Sequence, residues 1–229
     1  MYGRGGRAAG DAGSGQHGSG GRVGPADRRP VAKGRPGDRQ SPPARADPPV
    51  SGTGAATAAP PTIRRVVAAE WRALRTLRLR ALRTDPLAFG SFLAREEAFP
   101  ESQWRERATR DADSADSAQW VADASSSGLV GTATAARADD RWYIFGMWVE
   151  PAYRGERLGG RLLDACLGWV LSVHGARPIY LDVNPRQEAA RRLYESRGFR
   201  ATGVSRPLDH APAETAAQML RPPGGAGDG

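Results

Sequence analysis

The chain has 229 residues, a quarter of them charged, with a formal net charge of +8, one cysteine and three histidines. That length holds one ordinary domain and a remainder. A disulfide framework is excluded, the histidines have no metal-ligand spacing, and no apolar run nears the ~18 residues that cross a membrane, so a cytoplasmic protein without a metal site is expected.

Residues 1–60 are mostly Gly, Ala, Pro, Arg, Ser and Asp, with Tyr2 the one aromatic. Such a segment buries too little apolar surface to offset the entropy of ordering its backbone, and it reads as a disordered tail or a non-native extension. The excess positive charge is concentrated there. Its arginines are scattered and no aromatics alternate with them for base stacking, so a nucleic-acid arm is disfavoured. No apolar run of about ten residues marks a secretory signal. Residues 222–229 read as a short C-terminal disordered tail.

Order begins near Pro61, with residues 62–67 as a short strand. Trp71, Leu74, Leu77, Ala81 and Leu82 then recur at three- and four-residue steps until Asp85-Pro86 closes the pattern. This is an amphipathic helix, and Arg72, Arg75, Arg78, Arg80 and Arg83 form its solvated face. A second helical stretch, 87–110, is broken at Phe99-Pro100 and carries Phe89, Phe92, Leu93 and Trp104. Three strands follow, at 119–122, 129–136 and 142–149. The turns between them, Ser125-Ser126-Ser127-Gly128 and Ala138-Asp139-Asp140, predict an antiparallel meander. The third strand is apolar on both alternating sets, as in a strand covered on both faces, and Pro151 ends it.

From Phe145 to Leu163 the chain reads FGMWVEPAYRGERLGGRLL: strand, glycine turn, helix. The first N–H groups of a helix lack intrahelical partners, which makes this a candidate anion site, with Gly155, Gly159 and Gly160 removing Cβ atoms that would hold a phosphate off the backbone. The helix, 158–174, buries Leu158, Leu162, Cys166, Val170 and Val173 and stops at Gly175. Cys166 reads as a core thiol. A strand at 179–183 makes a parallel pair with the strand before the helix. Asn184 and Pro185 suit the N-cap and first turn of a helix carrying Ala190, Leu193 and Tyr194, and strands at 199–204 and 214–220 close the domain. The fold class is α/β (α+β): a central mixed, mostly antiparallel sheet of about 6–7 strands, helices on both faces and a splayed parallel pair.

Two segments, RGERLG from Arg154 and LDVNPRQEAARRLYESRGF from Leu181, together resemble the GNAT superfamily of N-acetyltransferases. The first matches its acetyl-coenzyme A loop, [RQ]-x-x-G-x-[GA], at Arg154, Leu158 and Gly159. It carries Arg157 where the pattern has its middle glycine, a side chain that points to solvent if the residue is already helical. The second matches at Leu181, Val183, Asn184, Ala190, Leu193, Tyr194, Gly198 and Phe199. The segment DPLAFGSFLAREEAFPESQW, from Asp85, resembles the part of these proteins that lines the acceptor pocket, making Phe89, Gly90, Glu96 and Glu97 pocket candidates; the alternative for the glutamates is exposed helix surface.

The resemblance covers Pro61 to Arg221 and implies an acyltransferase that moves the acetyl group of acetyl-CoA directly to a primary amine of a small molecule or protein, with no metal. The splayed pair would form the coenzyme cleft. Met147, Trp148, Val149 and Asn184 would contact the pantetheine arm, and Arg154, Gly155, Arg157, Leu158, Gly159 and Gly160 would surround the pyrophosphate. Arg191 and Arg192 would face phosphates or solvent alike. Tyr194 would protonate the departing thiolate, and an N–H among Met147 to Val149 would stabilise the oxyanion. No base is assigned among Glu150, Glu96, Glu97, Asp139, Asp140 and Asp182. Homodimers are common in the superfamily. A non-catalytic acyl-CoA sensor, and an RNA-associated protein acting through the basic tail, are the alternatives.

Overall fold

In the computed structural model, residues 59–224 are described, so the expectations for the N-terminal tail and for residues 225–229 lie outside the described residues. Seven strands form one sheet: β1 Thr62–Arg65, β2 Ser117–Asp123, β3 Leu129–Ala138, β4 Arg141–Val149, β5 Ile179–Val183, β6 Arg200–Leu208 and β7 Ala211–Arg221. Their order is β1-β2-β3-β4-β5-β7-β6. All neighbours are antiparallel except β4 and β5, which the helix α4 (Leu158–His174) joins by a crossover.

That parallel pair soon parts. Only Trp142 and Tyr143 of β4 pair with β5, against Ile179 and Tyr180. Beyond them β4 stays with β3 as far as Val149, and β5 stays with β7 as far as Val183. The facing edges of β4 and β5 therefore have no strand partner toward their C-terminal ends, which opens a wedge-shaped gap. A bulge in β4 bends the strand at this gap: Thr132 faces Trp148 and Thr134 faces Phe145, so Gly146 and Met147 together oppose Ala133. Gly146 takes φ 64°, a left-handed conformation that suits the residue without a Cβ.

Each face of the sheet carries a core. On one side α1 (Trp71–Thr84) and α3 (Glu101–Asp113) pack Trp71, Leu74, Leu77, Leu82, Trp104 and Ala108 against Val121, Leu129 and Trp148. On the other, α4 packs Leu158, Leu162, Leu163, Cys166 and Val170 against Ala122, Val130, Ile144 and Leu181. Consecutive residues of one strand, Val121 and Ala122 or Leu129 and Val130, feed opposite cores, as the two-residue pleat requires. Two small helices complete the domain, α2 (Leu93–Glu97) and α5 (Glu188–Glu195).

Five local expectations change. Val173 is 50% exposed; the buried stripe of α4 widens through Leu163 instead, because the helix lies across several strands. The stretch 87–110 splits into a single turn at Pro86–Ala88, α2, and α3 beginning after Pro100, whose ring fixes the entry to the helix. β4 buries Trp142 and Ile144 in the α4 core and, past the bulge, Trp148 in the opposite core, while Phe145, on the face away from Ile144, is 37% exposed, so the strand is not fully covered on both faces. Asn184 does not cap α5, whose N-cap is Gln187. Its side-chain oxygen accepts from the N–H of Arg186 at 3.0 Å and holds the turn before the helix. The two closing strands also run longer than read, meeting at Asp209-His210 as a hairpin.

Candidate functional site

The gap between β4 and β5 is bounded on one side by the loop that leads into α4. After a single turn at Pro151–Tyr153, Gly155 takes φ 87° and Arg157 takes φ 60°, ψ 12° at the N-cap of α4. Arg157 is thus exposed but not helical, which corrects the sequence expectation. A left-handed conformation costs a residue with a Cβ about 1–2 kcal/mol, so a glycine belongs there more naturally than an arginine. Among the described residues, none of the N–H groups from Gly155 to Gly160 is bonded to a backbone carbonyl. These donors, at the positive end of a 17-residue helix, suit an anion such as a pyrophosphate.

Gly159 and Gly160 are small for a different reason from the one expected. A Cβ on Gly159 would meet Leu193 at 3.3 Å and Met147 at 3.4 Å, and one on Gly160 would meet the Arg197 guanidinium at 3.0 Å. Both let the start of α4 close against α5 and the following turn. Arg197 is held there by Asp164, at 2.9 and 3.1 Å.

Arg154 turns its side chain back on the fold. Its Nε donates to the Val149 carbonyl at 3.0 Å, and a terminal N–H donates to Asp85. The same Asp85 oxygen accepts the indole N–H of Trp148 at 2.6 Å. Trp148 is 5% exposed with its ring in the α1–α3 core, and Leu158 is 2% exposed. For both, only the backbone is left to meet a ligand.

Met147 and Val149 are half-buried at the gap. Tyr194, on α5, reaches the same place: its hydroxyl lies 3.6 Å from Met147 Sδ, and its ring packs edge-on to Phe199 at 6.0 Å. Burial, with Cys166 alongside, pushes the phenol up to about 12, so it is protonated at neutral pH. Cys166 is fully buried and its thiol is pushed up by the same desolvation, as an inert core thiol should be.

On the other side of the gap, Asn184 is 5% exposed and spends its amide on Glu214 Oε2 at 3.2 Å, with the Leu87 carbonyl at 3.5 Å. Glu214 also pairs with Arg186 at 2.7 Å. The hairpin joining β6 and β7 is stitched to residues 86–92: His210 Nε2 meets the Pro86 carbonyl at 3.1 Å, and the Phe92 ring stacks on His210 at 5.7 Å. Neither Glu214, Asp85 nor His210 was singled out from the sequence. Glu214 falls at the start of an alternating strand and Asp85 at a helix stop, where an acidic residue needs no further explanation.

The acceptor candidates divide. Phe89 is core, beneath the Arg78 guanidinium at 4.4 Å. Glu96 is 2% exposed and bonded by Arg78 at 2.8 Å and Arg107 at 3.3 Å. Burial pulls its carboxyl up, but Arg78, Ser91 and Arg107 together outweigh that and hold it below the usual range. Glu97 is exposed and pairs with Arg83 at 3.1 Å. Gly90 has open space where a Cβ would stand. Of the unassigned acids, Glu150 pairs with Arg80 at 2.6 Å, Asp182 pairs with Arg206 at 2.8 Å, and Asp139 and Asp140 occupy the β3–β4 turn. Thus three arginines of the α1 face, Arg78, Arg80 and Arg83, are ion-paired rather than merely solvated. Among the described residues, no group of three or more His, Cys, Asp or Glu side chains is arranged for a metal, and no helix is long and apolar enough to cross a membrane.

Comparison with known proteins bears on this geometry. Residues 76–199 match the model of the acetyltransferase (GNAT) family. No curated protein matches the chain at a significant level. Among solved structures, an acetyltransferase of the GNAT family from Streptococcus pneumoniae is 20% identical, with 70% of this chain and 98% of that one covered and a TM-score of 0.59. A GNAT superfamily phosphinothricin acetyltransferase from Sinorhizobium meliloti, in complex with AcCoA, is 19% identical over 72% and 89% of the chains, with a TM-score of 0.59. A putative acetyltransferase from Salmonella typhimurium, with its cofactor acetyl-CoA, is 19% identical over 71% and 93%, with a TM-score of 0.56. At such identities the solved structures speak to the fold.

Proposed function

The chain belongs to the GNAT acetyltransferase family, and from that premise we propose that its domain, 61–221, transfers the acetyl group of acetyl-CoA directly to a primary amine. The observation that carries this is Tyr194: a buried, protonated phenol at the mouth of the β4–β5 gap, with its O–H already directed at a divalent sulfur, that of Met147. Protonating a leaving sulfur is the same donor–acceptor chemistry with a stronger acceptor.

Bound acetyl-CoA supplies an acyl group activated as a thioester. The gap offers two unpaired strand edges for an amide-bearing arm, and residues Met147 to Val149 and Asn184 flank it. The N–H groups from Gly155 to Gly160 suit the pyrophosphate, with Arg157 exposed beside them. Arg154 acts through the loop it braces. An N–H from the bulged segment Met147 to Val149 stabilises negative charge on the carbonyl oxygen, and Tyr194 gives its proton to the sulfur as the carbon–sulfur bond breaks. A lysine-like amine is neutral in only roughly one molecule in two thousand at pH 7, so the ammonium proton passes to solvent before nitrogen attacks, and the second proton that nitrogen sheds as the amide forms offsets the one Tyr194 gives to sulfur.

Tyr194→Phe tests the proposal. Acetyl transfer, followed as free thiol released from acetyl-CoA, should fall while acetyl-CoA affinity is retained. A protein that merely senses acyl-CoA would show binding with no transfer to lose, and an unchanged rate in the variant would remove Tyr194 from the chemistry.

A further inference from the structure

We propose that the hydroxyl of Thr134 holds the acceptor's nitrogen for attack, in a recess that the β4 bulge opens on the face of the sheet away from Tyr194. This rests on the acetyl transfer proposed above. Along β3, Ala133 and Ala135 lie in the α4 core, so Thr132 and Thr134 turn to the opposite face. Both are nearly enclosed, at 3% and 4% exposed, and an enclosed hydroxyl is ordinarily paired within the protein. Thr132 is: its Oγ1 accepts the side-chain amide of Gln119 at 2.9 Å. Thr134 Oγ1 is bonded to none of the described residues, and it is not among the atoms sealed off without a partner. It is therefore open to a partner from outside the chain.

What it faces is space. Thr134 stands opposite Phe145, and the next residue of β4 is Gly146, whose φ of 64° and missing side chain belong to the bulge. Chain neighbours aside, the one atom within 4 Å of where a Gly146 Cβ would stand is Thr134 Oγ1, at 3.9 Å. A side chain at 146 would fill this space and cover the hydroxyl. Phe145, on the same face, is 37% exposed, so solvent reaches this part of the sheet. Met147 comes next in the chain and meets the Tyr194 hydroxyl, and Tyr194 belongs to the α4 core. The recess and the acid thus approach the gap from opposite faces, with the bulge between them. A thioester carbonyl set against the N–H groups of Met147 to Val149 is then reached by nitrogen from one face while sulfur takes its proton on the other. A hydroxyl suits the first task. It has two lone pairs, so it accepts one N–H of a neutral primary amine and leaves the nitrogen lone pair turned to the carbonyl carbon. Being uncharged, it does not favour the ammonium form, whose nitrogen has no lone pair to give.

The test uses the full chain, free-thiol release, and primary amines of different classes as probes: n-butylamine, L-lysine, spermidine and the peptide Ala-Ala-Ala. Thr134→Val removes the hydroxyl and keeps the β-branched shape. With the probe that wild type turns over fastest, kcat/KM for the amine should fall about fivefold or more in this variant, the worth of one hydrogen bond. Its acetyl-CoA affinity, by titration, should be unchanged. It should unfold at the same temperature as wild type or higher, because the hydroxyl it loses has no partner in the fold. Thr134→Ser should restore the rate. Thr132→Val should do the reverse, lowering the unfolding temperature with little change in rate, since that hydroxyl serves Gln119. Full transfer by Thr134→Val, a loss of rate accompanied by a loss of stability, or no recovery in Thr134→Ser would overturn the assignment of Thr134. Acetyl-CoA bound by wild type with transfer to none of the amines would instead overturn the transferase proposal, and this one with it.

Discussion

The two walls of the β4–β5 gap are built by different means. On the α4 side the wall is backbone: a bulge at Gly146-Met147, a left-handed turn at Gly155 and Arg157, and helix N–H groups without carbonyl partners. On the β5–β7 side it is side chains meeting across long sequence separations: Asn184 with Glu214, His210 with Pro86, Phe92 with His210. A backbone wall accepts any residue that permits its dihedrals, so it suits a ligand that never changes. A side-chain wall can be altered one residue at a time, so it suits a ligand that sets specificity. Asp85 stands between them, receiving Trp148 and Arg154 from one wall and opening the 86–92 segment of the other.

If the chemistry belongs to the place where the walls meet, Tyr194→Phe should give the largest effect, a fall in kcat of roughly 100-fold or more, with acetyl-CoA affinity within about twofold of wild type by titration. Glu96→Gln tests what lies under the acceptor wall. Its carboxylate is buried between Arg78 and Arg107, and Arg78 in turn covers Phe89. Removing the buried charge leaves Arg78 and Arg107, both partly exposed, with weaker hydrogen bonds, at a cost of about 1–3 kcal/mol, read by urea unfolding at pH 7. The sign with pH follows from a carboxyl lowered in the folded state: its contribution is present above the unfolded pKa and disappears as pH falls through the folded one. The deficit of Glu96→Gln should therefore shrink below about pH 4.3.

Asp85→Asn probes the independence of the walls. Loss of its charge weakens the clasp on Arg154 and Trp148, and acetyl-CoA affinity should drop by about tenfold, the worth of one hydrogen bond to a charged group. A rise in amine KM in the same variant would show the walls to be coupled through this carboxylate. Arg157→Gly should be the smallest change and a favourable one, stabilising the protein by about 1 kcal/mol by relieving a left-handed side chain. Thermal unfolding would register it as a rise of a few degrees.

The same division explains what could be read from the chain alone. Helices and strands with strong periodicity, the crossover from β4 to β5 and the glycine turn into α4 were legible, because backbone geometry leaves local marks: alternation, Gly, Pro, spacing. Val173 was misplaced because periodicity marks a helix face but not how far the sheet beneath it extends. The reason for Gly159 and Gly160 was hidden in their contacts with Leu193 and Arg197, more than thirty residues away. Glu214 left no mark of its role, and Asp85 read only as a helix stop. Each acquires its role from partners brought to it by tertiary structure, and one acidic residue in a strand or at a helix stop looks like any other.

The most direct test of the whole account is calorimetric titration of acetyl-CoA into the full chain and into Gly159→Trp, with circular dichroism confirming that both are folded. The indole would stand between the start of α4 and the Leu193 and Met147 side chains that close on it. Micromolar binding by the wild type that disappears in the variant is the predicted result. A folded wild-type protein that takes up no acetyl-CoA, or a variant that binds it as well as wild type does, would contradict the assignment of this loop and gap as the coenzyme site.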